Sequence, residues 1–188
     1  MSEPINPDRT FWGPTHCGVG LSASFADLYA KEYNEDVGLI PCAVGGTVIA
    51  EWMPGEILYD HAVMMARLAA RTSDLAGILW HQGETDSLDL DADEYKRDLI
   101  SMLTSLRRDL GELPIVVGEI SEKIDISEKF RALHEMNIAI HEAARELPRC
   151  GVASSEGLTL KSDGMHFTSA SYRILGGRYF EEYRKIKE

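Results

Sequence analysis

Apolar residues fall along this chain in two alternating patterns, and the alternation predicts the architecture. Residues 21–33 place Leu21, Phe25, Leu28 and Tyr29 on one face of a helix. Residues 37–44 are then mostly apolar at consecutive positions and end in Gly45-Gly46, the pattern of a buried strand followed by a sharp turn. Helical periodicity returns over 58–71, and 75–80 reads as a second apolar strand. A third helix over 95–110 stops at Gly111, before a third strand at 113–117. Ser127 is placed to cap a helix reaching Leu147, where Pro148 ends it. Residues 149–153 form a short fourth strand, and 169–185 the last helix.

Strands that are apolar at consecutive positions are covered on both faces. Alternation with helices therefore predicts an α/β fold, a three-layer α/β/α sandwich around a parallel sheet. No repeat, low-complexity tract or Pro/Gly/Ser linker divides the sequence, so 1–188 reads as a single domain. In such folds ligands gather beyond the carboxyl ends of the strands. Gly45-Gly46 follows the first predicted strand, His81-Gln82-Gly83-Glu84 the second, and Asp163-Gly164-Met165-His166 comes after the fourth.

Composition narrows the classes of function. Hydrophobic residues make up 44% and charged residues 27%, as in soluble globular proteins. No apolar run approaches the ~20 residues that cross a bilayer, and the opening residues lack the basic and apolar regions of a signal peptide. A formal charge of −12 opposes polyphosphates and anionic lipid, so neither nucleic acid nor a membrane is expected as a partner. Oligomeric state is not legible. Cys17, Cys42 and Cys150 are odd in number and widely spaced, which predicts reduced thiols in a cytoplasmic protein, with Cys42 buried in a strand. His16 beside Cys17 is a poor Cys–His pair, because chain neighbours rarely face each other.

The strongest candidate for chemistry is His166, since a histidine can take and return a proton near neutral pH. Asp163, three residues earlier, could bond the far ring nitrogen and fix the tautomer. The competing reading is that Asp163 or Thr168 simply caps the last helix. Gln82 offers an amide NH2 to a developing oxyanion, and Glu84 could orient His166 in place of Asp163, with Asp86 close by. Gly45-Gly46-Thr47 offers unobstructed backbone N–H groups. Trp52 reads as a wall for sugar stacking or, alternatively, as a lid on the core. His134 and His141 share a helix face but lack a third ligand, and His61 stands apart, so no metal is expected. The acidic stretch 86–94 reads as a solvated loop and helix start.

These motifs together resemble the SGNH/GDSL hydrolases, and within them the carbohydrate esterase family 6 and sialate O-acetylesterase-like group. The resemblance rests on VGLIPCAVGGTVIAEW at 37–52, GILWHQGETD at 77–86 and DGMHFTSASYRILGGRY at 163–179, and covers nearly the whole chain. It implies a five-stranded parallel sheet in a flavodoxin-like sandwich. It also implies a serine-type esterase that removes O-acetyl groups from carbohydrates such as acetylated xylan or sialic acid. By the same resemblance His166 is the base, Asp163 or Glu84 the acid, and Gly46 and Gln82 belong to the oxyanion hole. Gly45, His81 and Trp52 join them as substrate contacts. No cofactor is implied.

One part of the family pattern has no counterpart. Members open with a strand and a Gly-Gln-Ser-Asn-like turn that presents the nucleophilic serine, and nothing here matches it. Ser22 and Ser24 begin a helix, and Thr47 and Ser155 lack the context. The expectation is a sheet without its first central strand, with the nucleophile encoded upstream of Met1. The alternatives are a carbohydrate-binding relic without catalysis, or recruitment of Ser22 or Ser24.

Overall fold

The computed structural model describes residues 19–89, 91–124 and 132–187. Ser127, His16 and Cys17 lie outside them. Three strands form one parallel sheet, β1 (Ile78–Trp80), β2 (Ile115–Gly118) and β3 (Cys150–Ala153), in the order β1-β2-β3. Leu79 pairs with Val116 and Val116 with Gly151. The pleat sends alternate residues to opposite faces. Ile115 and Val117 enter one core and Val116 the other.

Five α-helices cover the two faces, α1 (Leu21–Tyr33), α2 (Ile57–Ala69), α3 (Ala92–Leu110), α4 (Leu133–Glu146) and α5 (Ser169–Ile186). On one face α3 lays Leu99, Met102, Leu103 and Leu106 against α4 and the sheet, at the i, i+3, i+4, i+7 spacing of a single helical stripe. Asp91 caps α3, its carboxylate accepting from the Asp93 and Glu94 N–H groups at 3.0 and 3.3 Å, and Gly111 ends it at φ 102°. On the opposite face α1 packs along α5 through aromatic edges. Phe25 meets Tyr183 and Phe180 at ring separations of 5.4 and 5.9 Å. The helices α1 and α5 therefore form one outer layer, and α2, α3 and α4 the other.

The strand predicted over 37–44 is a correction. No ladder reaches these residues among those described, and none of them is buried. Their exposure alternates instead, with Val37 packed on one core and Val44 on the other. A buried strand needs a partner for its N–H and C=O groups. Among the described residues no such partner lies alongside, and the segment joins no strand. Cys42 accordingly sits in no strand, although partial burial still raises its thiol pKa. The five strands implied by resemblance become three among the described residues. The second strand is also shorter than its apolar run, because β1 begins at Ile78 rather than Leu75.

Close packing of α1 on α5 depends on Gly176. A methyl group there would collide with the Leu21 carbonyl oxygen and lie 2.9 Å from Ser24 Cβ. Gly177, one residue on, would meet only Leu28 at an ordinary 3.8 Å. Gly176→Ala is expected to cost about 1–3 kcal/mol through overpacking. Gly177→Ala should instead gain up to about 1 kcal/mol of helix propensity. Urea denaturation midpoints of the two variants will show shifts of opposite sign.

Candidate active site

Two loops bring the polar residues together, one leaving β1 and one leading into α5. Beyond Trp80 the chain turns through Gly83 at φ 139°, a conformation open to glycine. His81 and Glu84 thereby come onto one side, with His81 Nε2 3.6 Å from Glu84 Oε1. His81 Nδ1 lies 3.1 Å from the Tyr179 hydroxyl of α5, which donates to the Trp80 carbonyl at 2.6 Å. Burial pushes the Glu84 carboxyl up, but contact with His81 and the charge of His166 outweigh it and hold the group below the usual glutamate value.

The second loop is a short hairpin. Leu160 and Phe167 bridge antiparallel, Lys161 N–H donates to the His166 carbonyl at 2.7 Å, and Gly164 turns the tip at φ 71°. At the tip Asp163 Oδ1 accepts from the Met165 and His166 N–H groups, both at 3.0 Å. Its other oxygen lies 3.1 Å from His166 Nδ1. Burial raises the Asp163 pKa, but the two backbone N–H groups and His166 prevail and lower it. An ionised carboxylate only accepts, so Nδ1 carries the hydrogen and Nε2 is left as the ring's basic atom. The His166 side chain is 59% exposed, open to a reacting partner. The helix-cap alternative goes to Thr168, whose hydroxyl accepts from Ser171 N–H at 3.2 Å and opens α5. Phe167 joins the loops, packing edge-on against the His81 ring at 6.0 Å.

Beneath these loops lies a clamp that the sequence did not announce. Asp86 is 2% exposed, and its carboxylate accepts from the Ile49 N–H at 2.9 and 3.2 Å and from the Gln82 amide. Gln82 also donates to the Thr47 carbonyl at 3.1 Å. Burial raises the Asp86 pKa, against these donors. Asp86 is thus no part of a solvated acidic loop, because a carboxylate this deep must be fully hydrogen-bonded.

Two expectations change with it. Both hydrogens of the Gln82 amide are taken, by Asp86 and Thr47, which leaves none for an oxyanion. Trp52 is no sugar wall, because it is buried edge-on against Trp80 at 5.2 Å. Its indole N–H donates to Thr47 Oγ1 at 2.9 Å, in a short 3₁₀ turn at Ile49–Trp52. Gly45 and Gly46 remain exposed at the rim, Gly46 at φ 71°. The only sequence signal for the clamp was a polar Gln-x-x-x-Asp pair just beyond a strand end.

The remaining candidates lie elsewhere. His141 and His134 pair with Glu119 and Glu122 at 2.7 and 3.0 Å, and His61 is exposed on α2. No group of three metal-binding side chains occurs among the described residues. Ser24 packs on Gly176, well along α5 from His166, and Ser22 shares its helix. Thr47 Oγ1 donates to the Val44 carbonyl at 2.9 Å, and Ser155 Oγ to the Ile120 carbonyl at 3.1 Å. Among the described residues no serine is hydrogen-bonded to His166.

Thr47→Val should strand the Trp52 indole N–H and cost about 1–3 kcal/mol, as should Asp86→Ala by stranding the Ile49 N–H. The double variant is expected to lose less than the sum, because Gln82 links the two sites. Chemical denaturation of the four proteins gives the coupling.

The sequence and the fold are similar to those of known proteins. A sequence profile for the carbohydrate esterase, sialic acid-specific acetylesterase family matches residues 1–185. A probable carbohydrate esterase of Arabidopsis thaliana is 33% identical over 167 residues, covering 85% of this chain and 61% of that protein. The present chain thus spans under two thirds of that relative's length. An X-ray structure from the same Arabidopsis thaliana locus superposes with a TM-score of 0.80 at 31% identity, over 90% of this chain and 69% of that one. A carbohydrate acetylesterase of Xanthomonas citri shares the fold, with a TM-score of 0.70 at 19% identity, over 88% of this chain and 40% of that one. The profile match across the chain and the Arabidopsis thaliana relative together place this protein in the carbohydrate esterase, sialic acid-specific acetylesterase family.

Proposed function

We propose that this chain carries the acid–base machinery of a serine-type esterase that removes O-acetyl groups from carbohydrates. The observation behind it is the Asp163–His166 contact, with one carboxylate oxygen on Nδ1 at 3.1 Å and the other held by two backbone N–H groups. That bracing fixes the imidazole tautomer and offsets the charge formed when Nε2 takes a proton. Family membership supports the substrate class.

In the proposed cycle a serine outside the described residues attacks the acetyl carbonyl and gives its proton to His166 Nε2. The tetrahedral oxyanion is met by backbone N–H groups at Gly45-Gly46. It collapses as the sugar oxygen leaves with the proton from His166. Water then attacks the acetyl-enzyme, His166 takes its proton and returns it to the serine, and acetate departs. Asp163 is the orienting acid, and Glu84 adds a second negative charge near the imidazolium. Gln82 contributes by holding the Thr47 backbone, and so the glycine turn beside it. The cycle consumes one water and no cofactor.

His166→Ala in the full-length protein should lower kcat/KM for a small acetyl ester by about 10²–10⁴-fold. Asp163→Asn should lose less than Asp163→Asn/Glu84→Gln if the two carboxylates share the load. Unchanged turnover in His166→Ala would remove the base from this scheme. Sugar binding without any hydrolysis in the unaltered protein would transfer it to the class of binding modules.

A further inference from the structure

We propose that the outer face of α2 is a dimerisation surface, and that it takes α2 of a second copy of this chain, antiparallel about a two-fold axis. The inference is independent of the esterase reading. α2 turns Tyr59, Val63 and Ala66 into the core, where it packs on the 3₁₀ turn at Ile49–Trp52 and on α3. The opposite side of such a helix is normally polar. Here Ile57, Met64 and Leu68 are 80%, 57% and 53% exposed, with His61, also exposed, among them. Steps of four, three and four residues put these four side chains in one stripe, the seam spacing of two helices packed side by side. Single apolar residues at a surface need no explanation, but a row along one helix does.

The charges beside the stripe say what covers it. Asp60 and Arg67 are exposed and seven residues apart, on the same flank. In a parallel pair of α2 helices each would lie beside its own like charge. In an antiparallel pair Asp60 of one copy faces Arg67 of the other, and the two-fold axis makes that contact twice. The same operation sets Ile57 against Leu68 and His61 against Met64. Opposed helix dipoles favour this orientation as well. The Asp109 carbonyl and carboxylate take one nitrogen of Arg67, at 3.1 and 3.4 Å. A guanidinium has five N–H groups, so donors remain for a second carboxylate.

Net charge points to the same partner. A formal −12 makes most of this surface repel another copy. Along α2, however, the exposed Glu56 and Asp60 are balanced by the exposed Arg67 and Arg71. An equally acidic copy can therefore approach at this neutral, apolar face. The 13 residues of α2 span about 20 Å. One such helix on another makes a contact below the ~1,200 Å² of standard interfaces, so the dimer is reversible and forms as concentration rises.

Sedimentation velocity of the full-length protein over a concentration series tests the proposal. The unaltered protein should pass reversibly from monomer to dimer and stop there. Met64→Glu, which puts a charge into the seam, should stay monomeric throughout. Asp60→Arg should weaken association about tenfold, because it sets like charges together at two symmetric places. Adding Arg67→Gln to Asp60→Arg removes that repulsion and should regain part of the loss. A monomer at every concentration, a dimer surviving in Met64→Glu, or growth beyond the dimer would overturn the inference. An association unchanged in Asp60→Arg would overturn the antiparallel arrangement. A Met64→Glu monomer melting well below the unaltered protein in dilute solution would also overturn it, since the chain itself would then cover the stripe.

Discussion

A carboxylate 2% exposed to water must be answered by hydrogen bonds, and Asp86 is answered by Ile49, 37 residues away in the chain, and by Gln82, four residues before it. Desolvating an unpaired charge costs several kcal/mol even after relaxation. The Ile49 N–H and the Gln82 amide offset that cost, and in doing so they bind the 44–52 loop to the end of β1. Thr47 then receives Gln82 on its carbonyl and the Trp52 indole on its hydroxyl. The glycine turn at Gly45-Gly46 inherits its place from this chain of contacts. Its exposed backbone stands at the carboxyl edge of the sheet because a buried aspartate holds the floor beneath it.

A second constraint comes from α5, which runs over the sheet and links the two histidines. Its cap residue, Thr168, follows the hairpin carrying Asp163 and His166. Further along, Tyr179 and Tyr183 donate to the carbonyls of Trp80 and Ala76 at 2.6 and 3.0 Å, gripping both ends of the β1 region. Each hydroxyl satisfies a backbone acceptor that a buried strand edge would otherwise leave open. One rigid helix thus sets the position of His166 at its start and meets His81 at its middle. Substitutions along α5 should therefore disturb both loops together.

Much of this was legible in one dimension. Periodicity marked α1 and α5 to within a residue, because a helix face is a local property of spacing 3.6. The Asp163–His166 pair was legible for the same reason, since three residues of loop with a glycine between them can close on themselves. What failed were statements about which way a side chain faces. Trp52 sits where a sugar wall could stand, but Trp80 lies 28 positions on in the sequence and only 5.2 Å away in space. The apolar run at 37–44 has a strand's composition, yet pairing depends on what lies beside it, and composition carries no neighbours.

The sequence by itself determined the layered α/β architecture, the loops that bear polar residues, and the Asp163–His166 dyad, because each follows from contacts a few residues apart. Only the tertiary structure decided that Gln82 is a tie rather than a free donor, that Asp86 is buried, and that Tyr179 reaches His81. Those contacts join residues 35, 37 and 98 positions apart. Hydrogen bonds across such separations are fixed by how helices dock on the sheet, and docking is a property of the whole packed core rather than of any segment.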